Sequence, residues 1–175
     1  MTPSLDLTSA SVILLALSLG GVLKGATGAG VPVIVVPVMA VFFDVRLAVV
    51  LLAVPNLLTN LWQLYQYRSH RLGEGFTLRF SLAGAVGAAL GTVLLATLPT
   101  RGLTLLVAGT TACYVLVSLL HPEFRISPKR AQRLASTTGA TAGVLQGAVG
   151  ISAPISVSFL NAMRIEGLQF IATIA

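Results

Sequence analysis

Residues 21–33 read GVLKGATGAGVPV, and residues 143–155 read GVLQGAVGISAPI. The two stretches lie 122 residues apart and share seven of thirteen positions. The residues repeated are Gly21, Val22, Leu23, Gly25, Ala26, Gly28 and Pro32. The correspondence extends to an acidic residue, because Asp44 matches Glu166 at the same offset. A repeated Gly/Pro break inside apolar sequence indicates the substrate site of a secondary transporter.

The composition predicts an integral membrane protein. Apolar residues make up 55% of the chain and charged residues 9%, whereas soluble domains carry about 25% charged residues. Apart from Lys24, the charges lie in or beside predicted connections, which leaves apolar runs near the roughly 20 residues of a membrane-spanning helix. We therefore expect an all-α polytopic transmembrane protein with two inverted-topology repeats and Gly/Pro-broken helices.

The remaining composition excludes several other classes. A net charge of +6 is explained by basic residues in cytoplasmic loops, so we expect no nucleic-acid partner. The single cysteine, Cys113, excludes a disulfide or cysteine metal site within one chain. The N-terminus lacks a basic n-region, so the first apolar stretch is predicted to be a retained helix.

The hydrophobic pattern predicts a broken pair of segments and three full crossings in the first part of the chain. The pair spans 8–24 and 31–43, and the crossings span 47–67, 76–98 and 103–120. After a polar connection, the repeat returns as an apolar segment at 134–147, a break at 147–154 and a short segment at 155–163. Gly87 and Gly91, one turn apart, predict close helix packing.

The number of crossings predicts that the repeats are inverted. The broken pair enters and leaves on one side, and three crossings follow, so the second repeat enters from the opposite side. We assign residues 1–122 to the first repeat and 123–175 to the start of the second. Two copies of a 122-residue unit would exceed the 175 residues of the chain, so we expect the second repeat to be truncated.

Loop charge predicts the orientation in the cell membrane. The connections at 68–79 and 121–133 fall on one side and carry most basic residues: Arg68, Arg71, Arg79, Arg125, Lys129, Arg130 and Arg133. The positive-inside rule places this side in the cytoplasm and the N-terminus outside.

The two breaks supply the first set of candidate substrate-binding residues. They are Gly25, Gly28, Gly30 and Pro32 in the first break, and Gly147, Gly150 and Pro154 in the second. Glycine lets a ligand approach the backbone, and proline ends the preceding helix. The short segments that follow would point the positive ends of their dipoles at the site, which suits an anion. The alternative is that these glycines serve helix packing.

Polar side chains in apolar segments supply the remaining candidates. Lys24 is interpreted as a counter-ion for an anionic substrate, and its repeat counterpart is Gln146; the alternative is a lysine that snorkels to the interface. Asn56 and Asn60 would line a pore or hydrogen-bond a neighbouring helix. Thr27 and Ser152 would donate to oxyanions or bond their own backbone.

Catalysis finds little support in the sequence. His70 and His121 lie in predicted loops, and the sequence contains no paired intramembrane carboxylates, no metal-ligand cluster and no nucleophile with its base. We expect no enzymatic activity, no metal and no cofactor.

Two long stretches carry a family resemblance. VLKGATGAGVPVIVVPVMAVFFDVRLAVVLLAVPNLLTNLWQLYQYRSHR, from Val22 on, resembles the first half of the sulfite exporter TauE/SafE family, and AGVLQGAVGISAPISVSFLNAMRIEG, from Ala142 on, is similar to its second-half signature. Ala153 departs from the glycine expected there. The resemblance implies a permease of the cytoplasmic membrane for sulfite, organosulfonates or related organic anions, with both breaks lining the path.

The sequence thus favours a transporter of small anions that works by alternating access around paired Gly/Pro breaks. Its partners would be a small anionic substrate and the lipid bilayer, with a second copy of the chain as a further candidate. The alternatives are a membrane assembly component that does not transport, and a passive anion channel.

Overall fold

The computed structural model describes residues 6–120, 125–165 and 167–175. Its regular elements are helical throughout these residues, which confirms the all-α prediction. The helices are α1 Leu7–Thr27, α2 Val31–Phe42, α3 Val45–Gln66, α4 Glu74–Thr97, α5 Thr100–Leu120, α6 Pro128–Val149, α7 Ala153–Ala162 and α8 Gly167–Ile174, and a 3-10 turn spans Arg68–His70. Glu166 and His121 lie outside the described residues.

Four helices are long and apolar enough to cross a membrane: α1, α3, α4 and the Thr100–Val117 part of α5. Large apolar side chains on these helices point outward; Leu14 is 63% exposed, Leu58 60% and Val86 64%. A contiguous apolar exterior of this kind is rare on soluble monomers and suits a lipid environment. The chain is a multi-pass membrane protein.

Several boundaries differ from the sequence-based expectation. α1 continues to Thr27 and α6 to Val149, so each break is only three residues long, at 28–30 and 150–152. The predicted loop at 68–79 ends earlier because α4 begins at Glu74. The predicted loop at 121–133 ends at Pro128, since proline fits the first turn of a helix, where no amide donor is needed.

Helices α4 and α6 pack in parallel with their backbones almost in contact. A Cβ atom placed on Gly87 would lie 2.1 Å from the carbonyl oxygen of Ala140, and one on Gly91 would lie 2.2 Å from that of Val144. This confirms the close packing expected of the two glycines. The later residue of α4, Gly91, contacts the later residue of α6, Val144, so both helices run in the same direction. The connections that precede α4 and α6 therefore lie at the same end of the bundle.

The two broken pairs form hairpins that open toward opposite ends of the bundle. The open end of the α1–α2 hairpin lies next to the α4–α5 turn. There Thr100 Oγ1 donates a hydrogen bond to Asp44 Oδ2 at 2.7 Å. The α6–α7 hairpin opens at the other end, where the Ile126 amide donates to the Ala162 carbonyl at 2.8 Å. Inverted repeats require this opposed arrangement; the division of the chain at residue 122 stays a prediction.

Candidate functional site

Both breaks begin with the same backbone geometry. Gly28 (φ 82°) ends α1 and donates its amide to the Lys24 carbonyl at 2.7 Å. Gly150 (φ 73°) ends α6 and donates its amide to the Gln146 carbonyl at 2.9 Å. Glycine adopts this left-handed conformation without a steric penalty. The repeat seen in the sequence is therefore a repeat of structure as well.

Each break is followed by a short helix that lacks a side-chain cap. Gly30 precedes α2 and Ser152 precedes α7, and neither provides a side-chain hydrogen bond to the helix it caps. Pro32 and Pro154 occupy the first turns of these helices, where the missing amide costs nothing. The N-terminal ends of both helices carry partial positive charge that favours an anion.

A polar cavity of about 50 Å³ lies between the two breaks and α3. Of the sequence-predicted site residues, it is lined by Lys24, Gly28, Gly30, Pro32, Asn56, Asn60, Gln146 and Ser152. The structure thus brings residues from both halves of the chain to one place. Irregular backbone at membrane depth is tolerated where it is buried in protein or faces such a cavity.

Lys24 points into this cavity and is held by α3. Its side chain is only 6% exposed, and its ammonium donates to Asn56 Oδ1 at 2.9 Å and to Asn60 Oδ1 at 2.5 Å. Each asparagine therefore both bonds across helices and lines the cavity. An ammonium has three donors, so these two bonds leave a third for a ligand. This buried, bonded position differs from that of a lysine that snorkels to the interface.

The other predicted residues lie outside the lining of the polar cavity. Gly25 lies within α1 with open space beside it, and Pro154 lies in α7. Thr27 Oγ1 bonds backbone oxygens, including that of Leu23 at 2.8 Å, as hydroxyls in apolar helices often do. Gly147 packs against α4, because a Cβ there would lie 2.1 Å from the Ala88 carbonyl oxygen. Gly150 shapes the backbone of the second break.

Sequence reasoning missed Ser156 in the polar lining. This serine is buried, with 5% of its surface exposed, and its Oγ donates to the Ser152 carbonyl at 2.9 Å. The spacing could have indicated it, because Ser152 at the N-cap of α7 and Ser156 are one helical turn apart and therefore lie on the same side of the helix. Ala29, Val33, Ile151, Ala153 and Ile174 complete the lining, and as ordinary apolar residues they carry no such signal.

Comparison with known families identifies the architecture. The model of the sulfite exporter TauE/SafE family matches residues 13–175, nearly the whole chain. The chain belongs to the sulfite exporter TauE/SafE family. Comparisons with curated proteins and with solved structures gave no significant match. TauE/SafE membership indicates a membrane transporter of sulfite-type anions, and the apolar helices and the cavity between two breaks agree with it.

Proposed function

We propose that this TauE/SafE protein moves small oxyanions, such as sulfite or an organosulfonate, across the cytoplasmic membrane by alternating access. The observation that carries the proposal is the meeting of Lys24 and both Gly/Pro breaks at one polar cavity. Lys24, Asn56, Asn60, Gln146 and Ser152 are the side chains proposed to bind the substrate.

The chemistry around Lys24 favours an anion. Both hydrogen-bond partners of the ammonium are neutral amide oxygens, which orient the cation without cancelling its charge. A cation at membrane depth is costly, and an oxyanion beside it would supply the opposite charge. The uncapped N-termini of α2 and α7 add partial positive charge from two directions.

The opposed hairpins support alternating access. The α1–α2 hairpin reaches the cavity from one end of the bundle, and the α6–α7 hairpin reaches it from the other. Small rigid-body shifts of one hairpin against the other would open the cavity to each side in turn, as in other transporters with inverted repeats. In this proposal the connections before α4 and α6 face the cytoplasm, since they carry most of the basic residues.

The test is uptake of labelled sulfite by proteoliposomes that contain the full chain. We expect concentrative uptake under an imposed ion gradient, and a loss of at least about tenfold in Lys24→Gln, because the variant forfeits a charge-assisted interaction. Lys129→Gln, an exposed lysine of α6, is the matched control and should keep wild-type uptake. Stabilisation of the wild type by sulfite in a thermal melt gives an independent readout.

Other outcomes would favour the alternatives. Flux that only dissipates a sulfite gradient would indicate a passive anion channel. Uptake equal to that of empty vesicles, with no thermal stabilisation by sulfite, would contradict transport and favour an assembly component. Gly87 and Gly91, which predicted close helix packing, pack inside the chain against α6, so they do not favour an external partner.

A further inference from the structure

The inward face of α3 changes from apolar to polar along its length. Its buried residues in the first half of the helix include Val45, Val49 and Leu52. At the same helical spacing the face continues with Asn56, Asn60 and Gln63, all of which are partly buried. The polar part of this face therefore runs from the polar cavity toward the end of α3 that leads into the 3-10 turn.

Gln63 lies one turn beyond Asn60 on this face, outside the lining of the polar cavity. Its Oε1 atom is buried and has no hydrogen-bond partner among residues 6–120, 125–165 and 167–175. Native structures pair nearly all buried polar atoms, because an unpaired acceptor has lost its water and gained nothing in return. The unpaired oxygen therefore points to a donor that reaches it in another state of the protein.

The ammonium of Lys24 is the donor best placed to do so. It is bonded to Asn56 and Asn60 and carries a third N–H. Lysine holds its charge at the end of a flexible stem of four carbons. If the ammonium kept Asn60 and exchanged Asn56 for Gln63, its charge would move about 5 Å along α3, since each residue of a helix rises 1.5 Å.

The exchange conserves the number of hydrogen bonds. In either position the ammonium donates to Asn60 and to one further amide, and a single amide oxygen of the face stays unpaired. Two states that exchange like for like differ little in free energy, so both can be populated. Movement of one packed element past another by one helical turn is an established form of conformational switching.

We propose that Gln63 is a second acceptor for the Lys24 ammonium, which alternates between Asn56 and Gln63 during transport. Gln63 is thus a positioning residue, because it acts through Lys24. This inference rests on the proposed function: it assigns the step in which the positive charge of the cavity moves toward the end of the bundle that carries the basic connections.

The first test compares stability and sulfite uptake in Gln63→Leu. Because Oε1 is unpaired in this state, loss of the amide should not lower the melting temperature, whereas the maximal uptake rate should fall at least about tenfold with KM unchanged. In a Lys24→Gln background the same substitution should cause no further loss. Gln66→Leu, at an exposed position of α3, is the matched control and should behave as the wild type. A lower melting temperature or an unchanged maximal rate in Gln63→Leu would overturn the proposal.

Gln63→Glu tests, independently of transport, whether the ammonium reaches this position. A carboxylate there is tolerated when Lys24 pairs with it and is costly when it stays unpaired. We therefore expect the substitution to lower the melting temperature by roughly 6 °C more in a Lys24→Met background than in the wild type. Gln66→Glu, the matched control, should have the same effect in both backgrounds.

The outcomes separate this inference from the proposed function. Equal shifts for Gln63→Glu in the two backgrounds would show that the ammonium does not reach residue 63 and would overturn this inference alone. Sulfite uptake by the wild type equal to that of empty vesicles would instead contradict the proposed function.

Discussion

Lys24 Nζ lies 2.5 Å from Asn60 Oδ1, although 36 residues separate them along the chain. The bond joins the last turns of α1, next to the first break, to the middle of α3. With the second bond to Asn56, it fixes the cation from two amide oxygens on one helix face. The charge therefore keeps its position in the cavity independently of any ligand.

Replacing Asn60 should destabilise the fold through Lys24. In Asn60→Leu the buried ammonium loses a charge-assisted bond, and we expect a loss of about 1.5–3 kcal/mol in the free energy of unfolding. The measurement is SDS or thermal unfolding in detergent. Thr59→Val, whose hydroxyl bonds only its own helix at Pro55 and Asn56, should be nearly neutral. Adding Lys24→Met to Asn60→Leu should restore most of the loss; a double variant less stable than either single one would contradict this account.

The α4–α6 contact predicts opposite effects for two Gly→Ala substitutions. Gly87→Ala places a methyl group against the Ala140 carbonyl and should cost about 1–3 kcal/mol, since the backbones must separate. Gly109→Ala, on α5 with open space around it, should gain roughly 0.5–1 kcal/mol from helix propensity. Unfolding curves of both variants provide the test, and equal effects would show that α4 and α6 lie farther apart.

Asp44 predicts a loss of stability in acid. The hydrogen bond from Thr100 and that from the Arg46 amide hold the pKa of this carboxyl below its ordinary value of 3.8. A carboxyl with a lowered folded-state pKa stabilises the fold above its unfolded pKa, and that contribution disappears as the pH falls through the folded pKa. Unfolding measured from pH 5 to pH 3 should show this decline.

Two variants assign the acid effect. Asp44→Asn should flatten that part of the pH profile, and Thr100→Val, which removes the largest cause of the shift, should weaken it. Thr104→Val, at an exposed threonine whose hydroxyl bonds only its own helix, should leave the profile unchanged. An Asp44→Asn profile identical to that of the wild type would show that other carboxyls dominate.

Arg46 predicts a structural role at the C-terminus of α4. Its guanidinium donates to the Leu95 carbonyl at 2.9 Å and to that of Leu98, two oxygens that the helix leaves without intrahelical partners. Arg46→Lys cannot reach both with fork geometry, and we expect a loss of about 1 kcal/mol. Arg101→Lys, at an exposed position, should lie within experimental error of the wild type; equal losses would indicate a general charge effect.

Cysteine labelling tests the proposed orientation. In a Cys113→Ala background, His70→Cys and Ser127→Cys should react with a membrane-impermeant maleimide only after cytoplasmic access is given, because both positions lie in the connections rich in basic residues. Thr100→Cys lies at the opposite end of the bundle and should react from outside in intact cells. The reverse pattern would invert the topology.

The sequence predicted the elements well but not how they pack together. The repeated motif placed both breaks, and the apolar runs gave the crossing helices to within a few residues. The breaks are narrower than expected because glycine is tolerated within a helix. Gly25 and Gly147 match by position, yet both stay helical, whereas Gly28, Gly30 and Gly150 in the breaks adopt positive φ.

Most residues that line the polar cavity were named one by one from the sequence, but their contacts were not. Lys24 and Asn60 were each candidates, yet their bond depends on how α1 packs against α3, which no local pattern encodes. In the same way, Gly87 predicted a close contact between helices, but the sequence did not identify α6 as the helix that Gly87 contacts.

The packing of the first break has a consequence for biosynthesis. A Cβ on Gly28 would lie 2.9 Å from Ile171 on α8, so the end of α1 rests against a helix made much later. At about 5–20 residues per second, the ribosome reaches Ile171 on the order of ten seconds after Gly28. During that interval the helices before α8 are made with this contact unformed, and the first break packs against Ile171 only once α8 has been synthesised.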